Sequence, residues 1–255
     1  MNAPYQPSMS LSAKISRKLL PLRARRDIRV LLKRPIVSFT FDDFPRSALY
    51  EGADMLAKHK WRATFYVAAG LAGVQNHHGQ SFDKTDLAGL QAKSHEIAGH
   101  TYSHLDCGQS TQKQVLAEIA RNNVALTAMG VKSPIEHFAW PYGTTNIGNK
   151  TALAGHFKSM RGVMSGVNRG RADLNCLKSA PLFSGAKLNH TLGLIEGLKK
   201  RPGWLILFTH DVRDNPSEWG VTTKEFLETI AAVKASGALV LPVGEALEMV
   251  KNDYG

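Results

Sequence analysis

Two adjacent carboxylates, Asp42-Asp43, end the apolar run Ile36-Val37-Ser38-Phe39-Thr40-Phe41, with Pro45 close behind. The run is rich in β-branched and aromatic residues and reads as a buried strand. Acids at its end stand at the mouth of a sheet or barrel. Neighbouring carboxylates repel when both are ionised, unless a cation or a donor lies between them. On one reading, one acid binds a metal and the other moves protons. On the other, the pair caps the helix of segment 46–60, since Asp is a favoured N-cap.

Three more strand ends carry reactive groups. Glu96-Ile97-Ala98 leads into Gly99-His100-Thr101-Tyr102-Ser103-His104. Two histidines four apart on a helical turn can face one another and grip one cation; the alternative is a solvated pair on a helix. Catalytic zinc takes three His or carboxylate ligands and keeps a position open for water. Asp43, His100 and His104 match that recipe if their strand ends are neighbours. The zinc-protease pattern H-E-x-x-H is excluded. His95-Glu96 would need a second His where Gly99 stands, and His100/His104 would need a Glu where Thr101 stands. Phe138-Ala139-Trp140-Pro141-Tyr142-Gly143 suits either a shaped loop with inward backbone amides or an ordinary turn with buried rings. Phe208-Thr209-His210-Asp211 closes the clearest strand. A His there is poised to titrate near neutral pH, or else is structural.

The elements that must position these groups alternate. Strand patterns at 36–41, 63–67, 96–98, 136–139, 160–164, 204–208 and 238–241 interleave with helical spacing at 47–60, 85–93, 111–129, 149–157, 191–200, 222–235 and 243–250. Segments 74–84 and 165–181 read as polar loops. Such alternation calls for a parallel sheet with helical crossovers. With 255 residues, 43% of them hydrophobic, the expected fold is α/β, a distorted (β/α) barrel with about seven strands. A doubly wound open sheet is the alternative. Either architecture places chemistry at the carboxyl ends of strands.

The net charge of +11 is uneven. Residues 1–34 hold nine basic residues and one acid, leaving 23 basic and 20 acidic residues in 35–255. The body is nearly balanced, which argues against nucleic-acid binding. The division expected is a basic leader, 1–34, flexible or partly helical, followed by a catalytic domain, 35–255. Segment 11–32 mixes Leu and Ile with Arg and Lys, as a helix lying on an anionic membrane does; a basic arm with no partner is the alternative. No secretory signal is read, and two cysteines, Cys107 and Cys176, allow one bridge at most. The expected location is cytoplasmic, with the leader at the inner membrane face.

Taken in order, Asp-Asp, His-x-x-x-His, Pro-Tyr-Gly and a late strand-end His resemble the polysaccharide deacetylase family, carbohydrate esterase family 4, over about residues 35–250. The resemblance implies a distorted barrel, Asp42 as base, and Asp43, His100 and His104 as ligands of a divalent metal, zinc first. It also implies a Tyr142 backbone amide on the oxyanion and His210 as catalytic acid. The chain departs from the family at Phe44, where Gly is usual, and at Ala139, where an Arg normally orients the base. Arg46, Arg161 and Arg171 are the candidates to replace that Arg. Asp173 is a weak candidate for the Asp that partners the acid His; a solvated loop is the preferred reading there. The implied activity is hydrolysis of N-acetyl groups on an amino-sugar-containing poly- or oligosaccharide. Alternatives are an O-acetyl esterase, a deformylase of lipid-linked amino sugars, and an inactive carbohydrate-binding relative. Trp140 and Trp219 are the aromatics considered for stacking on sugar rings.

Overall fold

All seven residues of Ile36–Asp42 are buried, so this strand is covered on both faces, as the centre of a parallel sheet must be. A computed structural model describes residues 20–252. Twelve strands are described: β1 (Asp27–Val30), β2 (Ile36–Asp42), β3 (Thr64–Val67), β4 (Gln75–Asn76), β5 (Gly79–Gln80), β6 (Glu96–Gly99), β7 (His137–Ala139), β8 (Ser159–Ser165), β9 (Gly170–Asp173), β10 (Leu177–Pro181), β11 (Trp204–Thr209) and β12 (Leu239–Val240). The helices are α1 (Asp54–Ala57), which continues a π-helical segment Ala48–Ala53, then α2 (Lys84–Ala92), α3 (Gln112–Ala128), α4 (Ile147–Leu153), α5 (Ala186–Gly197), α6 (Thr223–Ala235) and α7 (Val243–Asn252).

Seven strands close a parallel barrel in the order β2-β3-β6-β7-β8-β10-β11, with β11 returning to β2. The expected number is met by a partly different set. Segment 238–241, expected in the ring, is only β12, beside the first two residues of β2. Its place is taken by β10, inside the expected loop 165–181. That segment hides its strands because a buried strand tolerates a small hydroxyl that is hydrogen-bonded: Ser179 is fully buried and donates to the Gly162 carbonyl on neighbouring β8 at 2.8 Å.

The start of the described chain is bound to the body. β1 pairs antiparallel with β9, Asp27 opposite Asp173 and Val30 opposite Gly170. Residues 27–30 are thus extended, not helical; residues 1–19 lie outside the described residues. The Arg26 guanidinium donates to the carbonyls of Ala154, Phe157 and Lys158 at 2.6–2.8 Å. Fully buried Lys150 donates to the carbonyls of Leu20 and Arg23 and pairs with Asp173 at 2.6 Å. Asp173 is therefore a buried structural anion, neither a solvated loop residue nor a partner of His210. Both cysteines are free, and no described helix is long and apolar enough to cross a membrane.

Removing one member of a buried ion pair strands the other, at a cost of about 3–5 kcal/mol. Lys150→Ala is expected to lose roughly that much stability in urea unfolding. Lys150→Met with Asp173→Leu should lose less, because no charge is left unpaired.

Candidate active site

The carboxyl end of β2 breaks sharply. Asp43 and Phe44 follow it at φ 62° and 60°, the left-handed region that costs non-glycine residues about 1–3 kcal/mol each. Burial of Phe44 offsets this. It is fully buried, stacked on Phe82 at 5.0 Å and edge-on to Phe65 at 4.9 Å. A glycine would adopt the same backbone without strain but would leave that hydrophobic seat empty. Neither aspartate caps a helix: Ser47 precedes the π-helical segment. The turn instead aims Asp43 into the barrel mouth.

There Asp43 meets four imidazoles. Its Oδ1 lies 3.6 Å from His100 Nε2 and 3.4 Å from His104 Nε2. His100 follows β6, which pairs with β7, and its Nδ1 donates to the Ala139 carbonyl at 2.8 Å. That bond turns Nε2 toward Asp43. The two histidines are not on a helical turn as expected; Thr101 and His104 both have positive φ, 58° and 57°. Glu118 on α3 holds this loop. One of its oxygens accepts from the amides of Tyr102 and Ser103 and from the Ser103 hydroxyl at 2.7–3.1 Å.

Burial lowers the His100 pKa to about 4, keeping the ring neutral. Burial raises the Asp43 pKa, but the attraction of His104, His100, His210 and His78 outweighs it and holds the carboxyl well below the usual range. A carboxylate among imidazole nitrogens is the donor set of a divalent cation. Among the described residues no hydrogen-bond donor reaches buried Asp43 Oδ1, a costly arrangement for a bare carboxylate oxygen. The Asp43, His100 and His104 ligand atoms all lie within 4.8 Å of one another. The residues fit a divalent metal.

Asp42 is held separately. Arg161 Nη2 contacts both of its oxygens, at 2.6 and 2.5 Å, and both side chains are buried. Arg161 comes from β8, where it is the register partner of Ala139 on β7. The missing arginine is thus supplied by the neighbouring strand at the same level of the barrel. The other two candidates are engaged elsewhere, Arg46 with Asp86 and Arg171 with Asp27.

The opposite wall is built around β11. His210 is half-buried, and its Nδ1 donates to the Trp219 carbonyl at 3.1 Å. The adjacent Asp211 serves another ring. His78 Nδ1 lies 3.3 Å from Asp211 Oδ1 and 2.9 Å from Ser217 Oγ. His78 sits in the expected loop 74–84, which contains the β4–β5 hairpin. The hairpin is fastened to the strand-end turn, with the Phe82 amide donating to the Phe44 carbonyl. It places His78 parallel to His210, ring centroids 4.4 Å apart. The dipeptide His77-His78 was visible in the sequence, but nothing there linked it to β2. Tyr142, at φ 57°, sets its ring against His104 at 4.3 Å. Gly143 closes this turn over Val163, which a Cβ would strike at 2.1 Å. Trp140 is core, and Trp219 is half-buried beside His77.

Residues 30–155 match the family model described as polysaccharide deacetylase. A chitooligosaccharide deacetylase of Sinorhizobium fredii is 31% identical over 111 residues, 43% of this chain and 47% of that protein. The chain thus spans about half the length of that relative. Two solved structures show the same fold. The chitin deacetylase of Colletotrichum lindemuthianum has a TM-score of 0.59 at 17% identity, covering 86% of this chain and 89% of that one. A family 4 acetyl xylan esterase from Clostridium thermocellum, in complex with a cobalt ion, has a TM-score of 0.60 at 20% identity, covering 84% and 91%.

His104→Ala is expected to lose the ion held by Asp43, His100 and His104, read as a drop of one metal equivalent by elemental analysis after dialysis. Glu118→Ala, which frees the ligand loop, should weaken metal affinity by about 10–100-fold, measured by competition with a chelator. Affinity unchanged in Glu118→Ala would rule out its part in positioning the ligands.

Proposed function

The chain belongs to the polysaccharide deacetylase family, and on that premise we propose that it removes N-acetyl groups from an amino-sugar-containing poly- or oligosaccharide, releasing acetate. The observation that carries this reading is the Asp43, His100, His104 triad beside a second carboxylate, Asp42, held by its own arginine. Two imidazoles and a carboxylate suit zinc, the metal we assign first.

A divalent cation held by the triad supplies Lewis-acid polarisation of the amide carbonyl and a water of lowered pKa. Asp42 takes the proton from the attacking water. The Arg161 contact fixes the direction of that carboxylate and keeps it away from Asp43. The Tyr142 backbone N–H is assigned to the developing oxyanion; one such donor contributes about 2.7–4 kcal/mol in studied enzymes. His210, with Nδ1 committed to the Trp219 carbonyl, is left with Nε2 to protonate the departing amine. Without that proton the amine is a very poor leaving group.

The test is an acetate-release screen on N-acetylated chitooligosaccharides, chitin, peptidoglycan and O-acetylated xylan, with and without chelator. Release from the N-acetylated glycans, lost on chelation and restored by metal, is expected. Release from xylan alone would replace the amidase reading with an esterase. Asp42→Asn should keep its metal and lose about 10²–10⁴-fold in turnover. Arg161→Met should lose turnover with metal content unchanged. A wild-type rate in Asp42→Asn would remove Asp42 from the role of base.

A further inference from the structure

Asp43 meets histidines on both of its oxygens. Oδ1 addresses His100 and His104, and Oδ2 lies 3.8 Å from His78 Nε2. An Asp43 oxygen and one ring nitrogen each from His78 and His210 also lie within 4.8 Å of one another. The hydrogen bonds of these two rings decide which nitrogens are bare. Ser217 Oγ donates to Asp211 Oδ1 at 2.6 Å, while the Ser217 amide and Arg213 donate to Oδ2. With the Ser217 proton spent on Asp211, the proton between His78 Nδ1 and this pair comes from His78. His78 therefore turns Nε2 toward the carboxylate. His210 donates through Nδ1 to the Trp219 carbonyl, which leaves Nε2 as its second nitrogen. Three groups that can each offer a ligand atom thus converge, and two of the three, Asp43 and His78, are buried. A carboxylate and two imidazoles so placed are a donor set for a divalent cation.

We propose that Asp43 Oδ2, His78 and His210 form a second divalent-cation site that shares the Asp43 carboxylate with the first. The proposal rests on the reading that Asp43, His100 and His104 hold a divalent metal. The second site has the same donor types and the same oriented imidazoles, His78 by a carboxylate and His210 by a carbonyl, which is how metal-binding rings are held. Its occupation engages the His210 nitrogen that the acid step requires. The second ion is therefore inhibitory, and turnover falls as it binds.

The test is zinc stoichiometry of the folded chain, by equilibrium dialysis and elemental analysis. The wild type should bind two zinc ions. His78→Ala and His78→Gln, the latter keeping an amide donor for Asp211, should each bind one, with folding checked by circular dichroism. Loaded with manganese(II), the wild type should show the exchange-coupled resonance of two ions sharing a carboxylate, and His78→Gln the signal of an isolated ion. One zinc in both wild type and His78→Gln, lost in His104→Ala, overturns the second site and leaves the first standing. No zinc in the wild type overturns both. Turnover that does not fall between one and two equivalents overturns the inhibitory assignment.

Discussion

The backbone reversal after β2 is the constraint on which the site depends. A strand that continued straight past Asp42 would carry Asp43 on the outward side of the pleat. Two successive residues with positive φ turn it back, so neighbouring carboxylates can do different work at one barrel mouth. The strain is held by packing. Phe44 is sealed between Phe65 and Phe82; its carbonyl accepts from the Phe82 amide and its own amide donates to the Asp42 carbonyl. The buried ring that holds the turn also receives the hairpin bearing His78, so the β2 turn and the far wall of the site are one packed unit.

Around Asp43 the imidazoles are set in place from behind. His100 is fixed by the Ala139 carbonyl, His210 by that of Trp219, and His78 by Asp211 and Ser217. The anchors come from the end of β7 and from the segment after β11, while the rings they hold follow β6, β11 and the β4–β5 turn, so ring orientation depends on barrel closure. A bond at Nδ1 selects the tautomer that bares Nε2, and it limits the reorganisation needed when a cation binds. Asp211 is itself held down by four donors, His78, the Ser217 hydroxyl and amide, and Arg213, which together outweigh the upward push of burial on its pKa.

Asp42 and Arg161 solve a second electrostatic problem. Asp42 is buried beside an ionised Asp43, and its charge needs a counterpart that leaves the first metal locus alone. Arg161 comes from inside the barrel, flanked by the rings of Tyr66 and Phe208 at 5.0 and 4.9 Å. Because Ala139 and Arg161 are cross-strand partners, moving the guanidinium from β7 to β8 displaces it sideways by about one strand spacing, roughly 4.8 Å. A long, flexible side chain absorbs that distance. The small residue on β7 and the large cation on β8 fill the same layer of the interior.

What the sequence determined by itself was local: the apolar run that becomes β2, the acids that end it, the His100 and His104 spacing, and the helices on which Thr111 and Thr222 form capping boxes. These depend on period, propensity and neighbours a few residues apart, so they can be read in order along the chain. Strand β10 was illegible because its buried Ser179 looks polar in sequence and is satisfied only by the neighbouring strand β8. Arg161 was one of three equal candidates until strand register brought it to Asp42. His78 lay in a stretch with no regular pattern, and its partners Asp43 and Asp211 are 35 and 133 residues away. Which side chains share a cavity is decided by closure of the ring, because only closure sets the distances between strand ends, and no periodicity along one strand encodes them.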